Sequence, residues 1–276
     1  MKKYRPTSPA RRQMESIEWR NLVTQKEPEK SLTGGFKRDV GRNQQGRITT
    51  RHKGGGAKRL WREIDFKYEK KDISAKVISI EYDPNRTSLI ALVVYRDGEK
   101  RYVLAPQGMK VGNIVITSEK APIEAGNRLP LGKVPVGAMV YNVELAQGKG
   151  AQLARSAGVG AIVLAQEGKY THLQLPSKEV RIVSNTAWAS IGMLSNPEHS
   201  FQTIGKAGRA RHMGIRPTVR GTAMNPRDHP HGGGEGRTQI GRRRGPATPW
   251  GKPARGVKTR KRGKKSNMFI LSRRRK

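Results

Sequence analysis

No cysteine occurs in the 276-residue chain, which excludes disulfides, cysteine nucleophiles, thiolate zinc sites and iron–sulfur clusters. Acidic residues are scarce. Only 21 Asp and Glu stand against 56 Lys and Arg, a formal net charge of +35. An ordinary soluble domain carries a net charge of roughly 2–8, so self-repulsion is large here and a polyanionic partner is expected, either nucleic acid or an anionic membrane. Long apolar runs are missing as well. The longest covers residues 89–95, far short of the roughly 20 residues of a membrane span. The opening MKKYRPTSPARRQ has no apolar stretch behind it, so no secretory signal is expected. The basic regions are too rich in Gly and Pro for the amphipathic helices that lie on membrane surfaces. Nucleic acid is therefore the expected partner, and a membrane is not.

Charge and apolar content divide the chain unevenly. Residues 1–59 hold 16 basic and 5 acidic side chains, residues 60–199 hold 18 and 14, and residues 200–276 hold 22 and 2. Apolar residues number 13, 63 and 18 in the same three segments. Only the middle has enough apolar side chain to offset the entropy of ordering a chain. The ends read as basic extensions that stay mobile until a partner neutralises them. The last segment carries 13 Gly and 6 Pro, residues that suit neither helix nor strand interiors. An inert tail would have that composition too. Trp250, His229, His231 and Phe269 spread through it point instead to an extension that makes contacts.

The middle block reads as short strands. Ile78, Ile80 and Tyr82 alternate with Ser79 and Glu81, and residues 83–86 (DPNR) form a turn. The apolar run at 89–95 suits a strand buried on both faces, and Asp97-Gly98 is a hairpin signal. Strands follow at 102–105, 113–117, 138–145, 151–155, 160–165, 170–175 and 180–183, with no helical pattern of useful length. This spacing indicates two small barrels, with 126–130 (GNRLP) as their seam. The resulting division is a basic N-terminal extension (1–59), two barrels (60–125 and 126–199) and a basic C-terminal extension (200–276).

Catalytic motifs are weak. The nearest approach to a phosphate-binding P-loop, residues 126–134, has the wrong spacing and lacks the hydroxyl residue. No G-x-S-x-G elbow exists, so the esterase-like His231-Gly232-Gly233-Gly234 stands alone. The densest cluster of metal-type side chains is Asp228-His229-Pro230-His231 with Glu235 nearby. His229 could bind an ion or act as a general base, but it lies among glycines in a strongly basic segment with no core to fix it. A loop tip that docks on a polyanion is the better reading, so no catalytic residue, resident metal or cofactor is expected. Whether Mg²⁺ bridges side chains to nucleic-acid phosphate is not encoded in the sequence.

In the last segment 15 of 22 basic residues are Arg, whose planar fork chelates phosphate and stacks on bases. Arg51, His52, Lys53, Gly54, Gly55, Lys58 and Arg59 repeat the pattern near the N-terminus, where glycines let backbone N–H groups approach phosphate. Arg209 and Arg211, and Arg242, Arg243 and Arg244, are further candidates. Each motif is weak alone; on both sides of a compact β block they indicate wrapping of a large folded nucleic acid. DNA readers usually present a helix to the major groove, and none is legible. Small barrels with irregular extensions suit RNA.

Four strings are more specific: RHKGGGA at 51–57, EYDPNR at 81–86, ARSAGVG at 154–160 and AMNPRDHPHGGGEGR at 223–237. With these the whole chain resembles the bacterial branch of the large-subunit ribosomal protein L-two family. The resemblance implies a mainly β fold, an OB-type barrel followed by an SH3-like barrel with extended termini. It implies a primary ribosomal-RNA-binding protein in the large subunit, in the cytoplasm, next to other ribosomal proteins. It further implies an inter-subunit bridge to small-subunit RNA, a nearby tRNA, and support of the peptidyl transferase centre; a direct catalytic role is controversial for the family. No homo-oligomer is expected. By the same resemblance Arg86 and Arg155 contact RNA from the β block. Residues 225–234, including Asn225, Arg227, Asp228, His229, His231, Gly232 and Gly233, would form a loop reaching towards the catalytic RNA, with Arg237 just beyond. An RNA-acting enzyme using His229 and a general RNA chaperone are the alternatives.

Overall fold

The computed structural model describes residues 1–235 and 237–274. Gly236, one position of the 223–237 string, and the last two residues of the basic tail lie outside the described residues. The chain forms two compact units. One comprises residues 1–38, 58–206 and the C-terminal stretch from Met268; the other comprises residues 39–57 and 207–267. The protein is mainly β, and only two short α-helices, α1 (Pro9–Arg12) and α2 (Ala207–His212), occur among the described residues.

The first unit is built on two antiparallel sheets. Strands β1 (Ser74–Glu81), β2 (Ile90–Tyr95), β3 (Lys100–Leu104) and β4 (Ile114–Ile116) form a sheet in the order β3-β2-β1-β4. The apolar run behaves as expected. Ala91, Val93 and Tyr95 enter one cluster with Val77 and Val103, while Ile90 and Leu92 enter another with Leu104, Tyr141 and Leu194. Successive strand residues point to opposite faces, so only a run with no polar positions can serve both clusters. Gly98 closes the β2–β3 hairpin at φ +85°, a conformation that costs a glycine nothing. A bulge between Val77 and Ser79 re-aims β1 and leaves Ile78 exposed.

The second sheet follows. Strands β5 (Arg128–Pro130), β6 (Met139–Tyr141), β7 (Ala161–Glu167), β8 (Tyr170–Gln174), β9 (Val180–Ser184), β10 (Trp188–Ile191) and β11 (Ile270–Ser272) order as β11-β9-β8-β7-β6-β10-β5. Leu129, Leu131, Val140, Val163, Leu173 and Val183 fill its core, at roughly 1.5–3 kcal/mol for each large side chain withdrawn from water.

Two parts of this unit depart from a simple reading of the residues. The GNRLP stretch expected as a seam holds β5, which pairs along β10 and buries Arg128 to 1% exposure. Arg128 donates to the Asn142 carbonyl at 2.8 Å and to Glu144 at 3.2 Å, and its guanidinium lies 4.4 Å from the Tyr68 ring centre. Burial pushes the Tyr68 hydroxyl up to about 12. The second departure is at the N-terminus. Residues 1–38, basic by composition, belong to the β unit because a few apolar anchors suffice. Trp19 packs on the Val77 cluster and Leu32 on the Ile90 cluster. The Glu29 amide donates to the Tyr102 hydroxyl at 2.8 Å, which in turn donates to buried Glu81 at 2.7 Å. Among the described residues no helix is long and apolar enough to cross a membrane.

Candidate RNA interface

The second unit holds 21 basic and 3 acidic side chains, and not one Tyr, Phe or Cys. Ala247 is its single buried apolar residue among those described. Backbone pairing does the work that a core does elsewhere. Residues 52–57 run antiparallel to 212–216: the Gly54 amide donates to the Gly214 carbonyl at 2.9 Å, Ala57 to His212 at 2.9 Å, and Arg216 to His52 at 3.0 Å. His52, Gly54 and Gly55 all have positive φ, 61°, 140° and 62°, so the glycines serve the path of the chain. The amides of Gly55 and Gly56 find no acceptor among the described residues. They remain available to an anion, as backbone N–H groups in such turns are.

Arg209 and Arg211 lie on α2, and a terminal nitrogen of Arg211 stands 3.7 Å from where a Cβ on Gly55 would be. Nη1 of Arg211 is buried with no partner among the described residues, a donor for which an RNA phosphate could supply the acceptor. Arg51, Lys53, Arg237, Arg242, Arg243 and Arg244 are exposed. Lys58 and Arg59 fall in the first unit instead, where Arg59 donates to the Pro84 carbonyl at 2.7 Å.

Residues 224–233 of the 223–237 string fold into a locked loop. Asp228 and His229 amides both donate to the Asn225 carbonyl, at 3.0 and 3.2 Å, Gly232 donates to His229 at 2.8 Å, and Gly233 to Met224 at 3.1 Å. A Cβ on Gly232 would stand 2.2 Å from the Asn225 oxygen, and one on Gly221 would stand 2.4 Å from the His229 ring. These glycines are present because the chain passes too close for any side chain. His229 is 7% exposed, so the loop itself supplies the packing that composition gave no reason to expect. Its Nδ1 accepts the His231 amide at 3.0 Å, and His231 Nε2 accepts the Ala247 amide at 2.8 Å. Burial, His229 and Arg242 together lower the pKa of His231, consistent with an imidazole used as an acceptor. Asn225, Arg227 and Asp228 stay exposed, with Arg227 and Asp228 3.6 Å apart. Among the described residues no group of three or more His, Asp or Glu comes together to hold a metal ion.

In the first unit Arg86 and Arg155 meet over one aromatic ring. Their guanidiniums lie 5.6 and 4.7 Å from the centre of Phe66, a cation–π distance. The two are not equivalent. Arg155 is exposed and donates to the Ala151 carbonyl at 3.3 Å. Arg86 is 15% exposed and pairs through Nε with Asp83, which is fully buried. Phe66 and the neighbouring Trp61, itself 5.9 Å from Arg86, were invisible to charge counting. The spacing signal that could have found them is absent, since 20 and 89 residues of chain separate Phe66 from its two cations.

The arrangement offers exposed guanidiniums, unused backbone amides and a stiff loop, with few carboxylates to compete: the features that grip a phosphate backbone. The comparison with known families agrees. Residues 29–117 match the family described as Ribosomal Proteins L2, RNA binding N-terminal domain, and residues 124–251 match Ribosomal Proteins L2, C-terminal domain. That family is one of structural, RNA-binding constituents of the large ribosomal subunit, in contact with ribosomal RNA and other ribosomal proteins. The two matches span most of the chain and both of its units, and the chain belongs to the ribosomal protein L2 family.

Proposed function

We propose that this chain is a primary ribosomal-RNA-binding protein that also supports subunit association, tRNA binding and the peptidyl transferase centre. The supporting observation is the second unit, with 21 basic against 3 acidic side chains and, among the described residues, a single buried apolar one. Such a unit repels itself and gains its stability from a polyanion. In this reading the units grip large-subunit RNA, one exposed basic surface reaches small-subunit RNA at an inter-subunit bridge, and the loop at residues 225–234 stands near tRNA and the catalytic RNA. Assembly takes place in the cytoplasm, and Mg²⁺ at the interface is held chiefly by RNA phosphates. Purified large-subunit RNA should compete for the chain far better than an unrelated RNA of equal length. Equal competition would favour a general RNA chaperone.

His229 has a docking role in this reading and no catalytic one. A neutral imidazole has one acceptor nitrogen, and in His229 that nitrogen is engaged by the His231 amide at 3.0 Å. The other then carries the proton and offers a hydrogen bond to RNA, with no lone pair free to take a proton from a substrate. His229→Gln in fully assembled particles should leave single-turnover peptide-bond formation near normal, with an unchanged pH profile. A loss of ~10²-fold or more, the scale of general acid–base catalysis, with an altered profile, would overturn this.

A further inference from the structure

Trp250 is the single Trp, Tyr or Phe in the second unit, and it is 72% exposed. It sits at the tip of a tight hairpin. The Thr248 amide donates to the Lys252 carbonyl at 2.7 Å, Gly251 to Thr248 at 2.9 Å, and Ala254 to Pro246 at 2.9 Å. Pro249 fixes the first corner of the turn, and Gly251 takes the left-handed conformation at φ +78°. The base of the hairpin is tied down by Ala247, which is buried and whose amide donates to His231 Nε2 at 2.8 Å. An indole held out this rigidly contributes to no core. Apolar burial does not explain it.

One face of the indole is already covered. The Arg51 guanidinium lies 5.0 Å from the ring centre. Arg51 precedes His52, whose carbonyl accepts the Arg216 amide at 3.0 Å, so the stacked pair is fixed from both sides. With the residue 72% exposed, the opposite face is the one left to a ligand. A rigid aromatic plane, one face on a cation and one free, among exposed guanidiniums, has the features of a platform for an unstacked nucleobase. Every base has a π-face, so such a platform tolerates any base.

We infer that Trp250, backed by Arg51, is a stacking site for an unpaired nucleobase of ribosomal RNA. This rests on the RNA-binding reading above and deepens it, adding a base contact to contacts that otherwise run to phosphate. A single base–aromatic stack is worth about 5- to 140-fold in affinity. It involves no phosphate and releases no counterion, so its loss leaves the slope of log K against log salt unchanged.

The test uses the full-length chain and full-length large-subunit ribosomal RNA as the probe. Trp250→Leu keeps apolar bulk and removes the π-face, whereas Trp250→Phe keeps a smaller one. Binding should weaken by about 5- to 140-fold in the Leu variant, remain closer to the unsubstituted chain in the Phe variant, and keep its salt slope in both. Unchanged affinity in the Leu variant overturns the inference, as does an equal loss in both variants or an altered slope. So does normal RNA affinity combined with poor incorporation into reconstituted particles, which would place Trp250 against a neighbouring protein. If the unsubstituted chain shows no preference for ribosomal over unrelated RNA, the broader reading fails. The Leu-to-Phe comparison on either RNA still decides the stacking site.

Discussion

The two units solve the problem of holding a chain together in opposite ways. The first has three apolar clusters, a buried ion pair at Arg128 and Glu144, and carboxylates that engage many of its cations. The second has one buried apolar side chain among the described residues, and its shape comes from glycines and backbone hydrogen bonds at 54, 57 and 216. A backbone hydrogen bond adds only about 0.5–1.5 kcal/mol net, and the entropy of fixing each residue is of similar size. The second unit is therefore specified by its sequence without being stabilised by it. A polyanion must supply the rest.

The largest effect that could break this contrast is in hydrogen exchange of the free protein. Amides of β2 should be slowed ~10³-fold or more, as global unfolding requires, while those of Gly54, Ala57 and Arg216 should show little protection. Adding large-subunit RNA should close the gap. Equal protection without RNA would show that the second unit stands on its own.

Substitutions sharpen the same contrast. Arg128→Met removes the cation and leaves the Glu144 carboxylate buried with only the amides of Gly148 and Trp188 as partners. Breaking a buried pair in this way costs about 3–5 kcal/mol, and thermal melting of the β unit should drop accordingly. Gly232→Ala drives a Cβ against the Asn225 carbonyl at 2.2 Å, yet melting of the β unit should not move. Its effect should appear only in RNA binding. A lowered melting temperature for Gly232→Ala would mean that the units share their stability.

The smallest effect separates two arginines over one ring. Arg155→Ala should weaken RNA binding and flatten log K against log salt by somewhat under one unit, with folding unaffected. Arg86→Ala should flatten it less and destabilise the fold as well, because the buried Asp83 carboxylate loses its cation and keeps the Asn85 amide. Identical behaviour of the two variants would mean that the buried pairing of Arg86 does not matter to its role.

How much was legible in the sequence follows from the same physics. Strands β1 to β4 and β6 to β9 announce themselves because local alternation and Gly turns determine them. Strand β5 does not, since a buried Arg128 is allowed only by Glu144, Asn142 and Tyr68, which local pattern cannot bring together. The composition of residues 1–38 suggests a mobile extension, and two or three anchors such as Trp19 and Leu32 outweigh it. In the interface, the residue types were legible and their partners were not. Nothing periodic ties 52–57 to 212–216, Arg51 to Trp250, or Arg155 to Phe66; these pairings join segments far apart in sequence.

Strand β11 also changes what kind of object the last segment is. By composition residues 200–276 form a tail. But Val180 and Arg181 pair with Ser272 and Ile270, which returns the chain to the β unit after residues 207–267. Residues 207–267 are thus a tether fixed at both ends. For about 60 residues, closing such a tether costs on the order of 4 kcal/mol of chain entropy, a cost met when the sheet forms, before any RNA is bound. A short and partly exposed edge strand thus restrains the far end of the basic excursion, so the freedom it has left to lose on meeting a polyanion is smaller than that of an open tail.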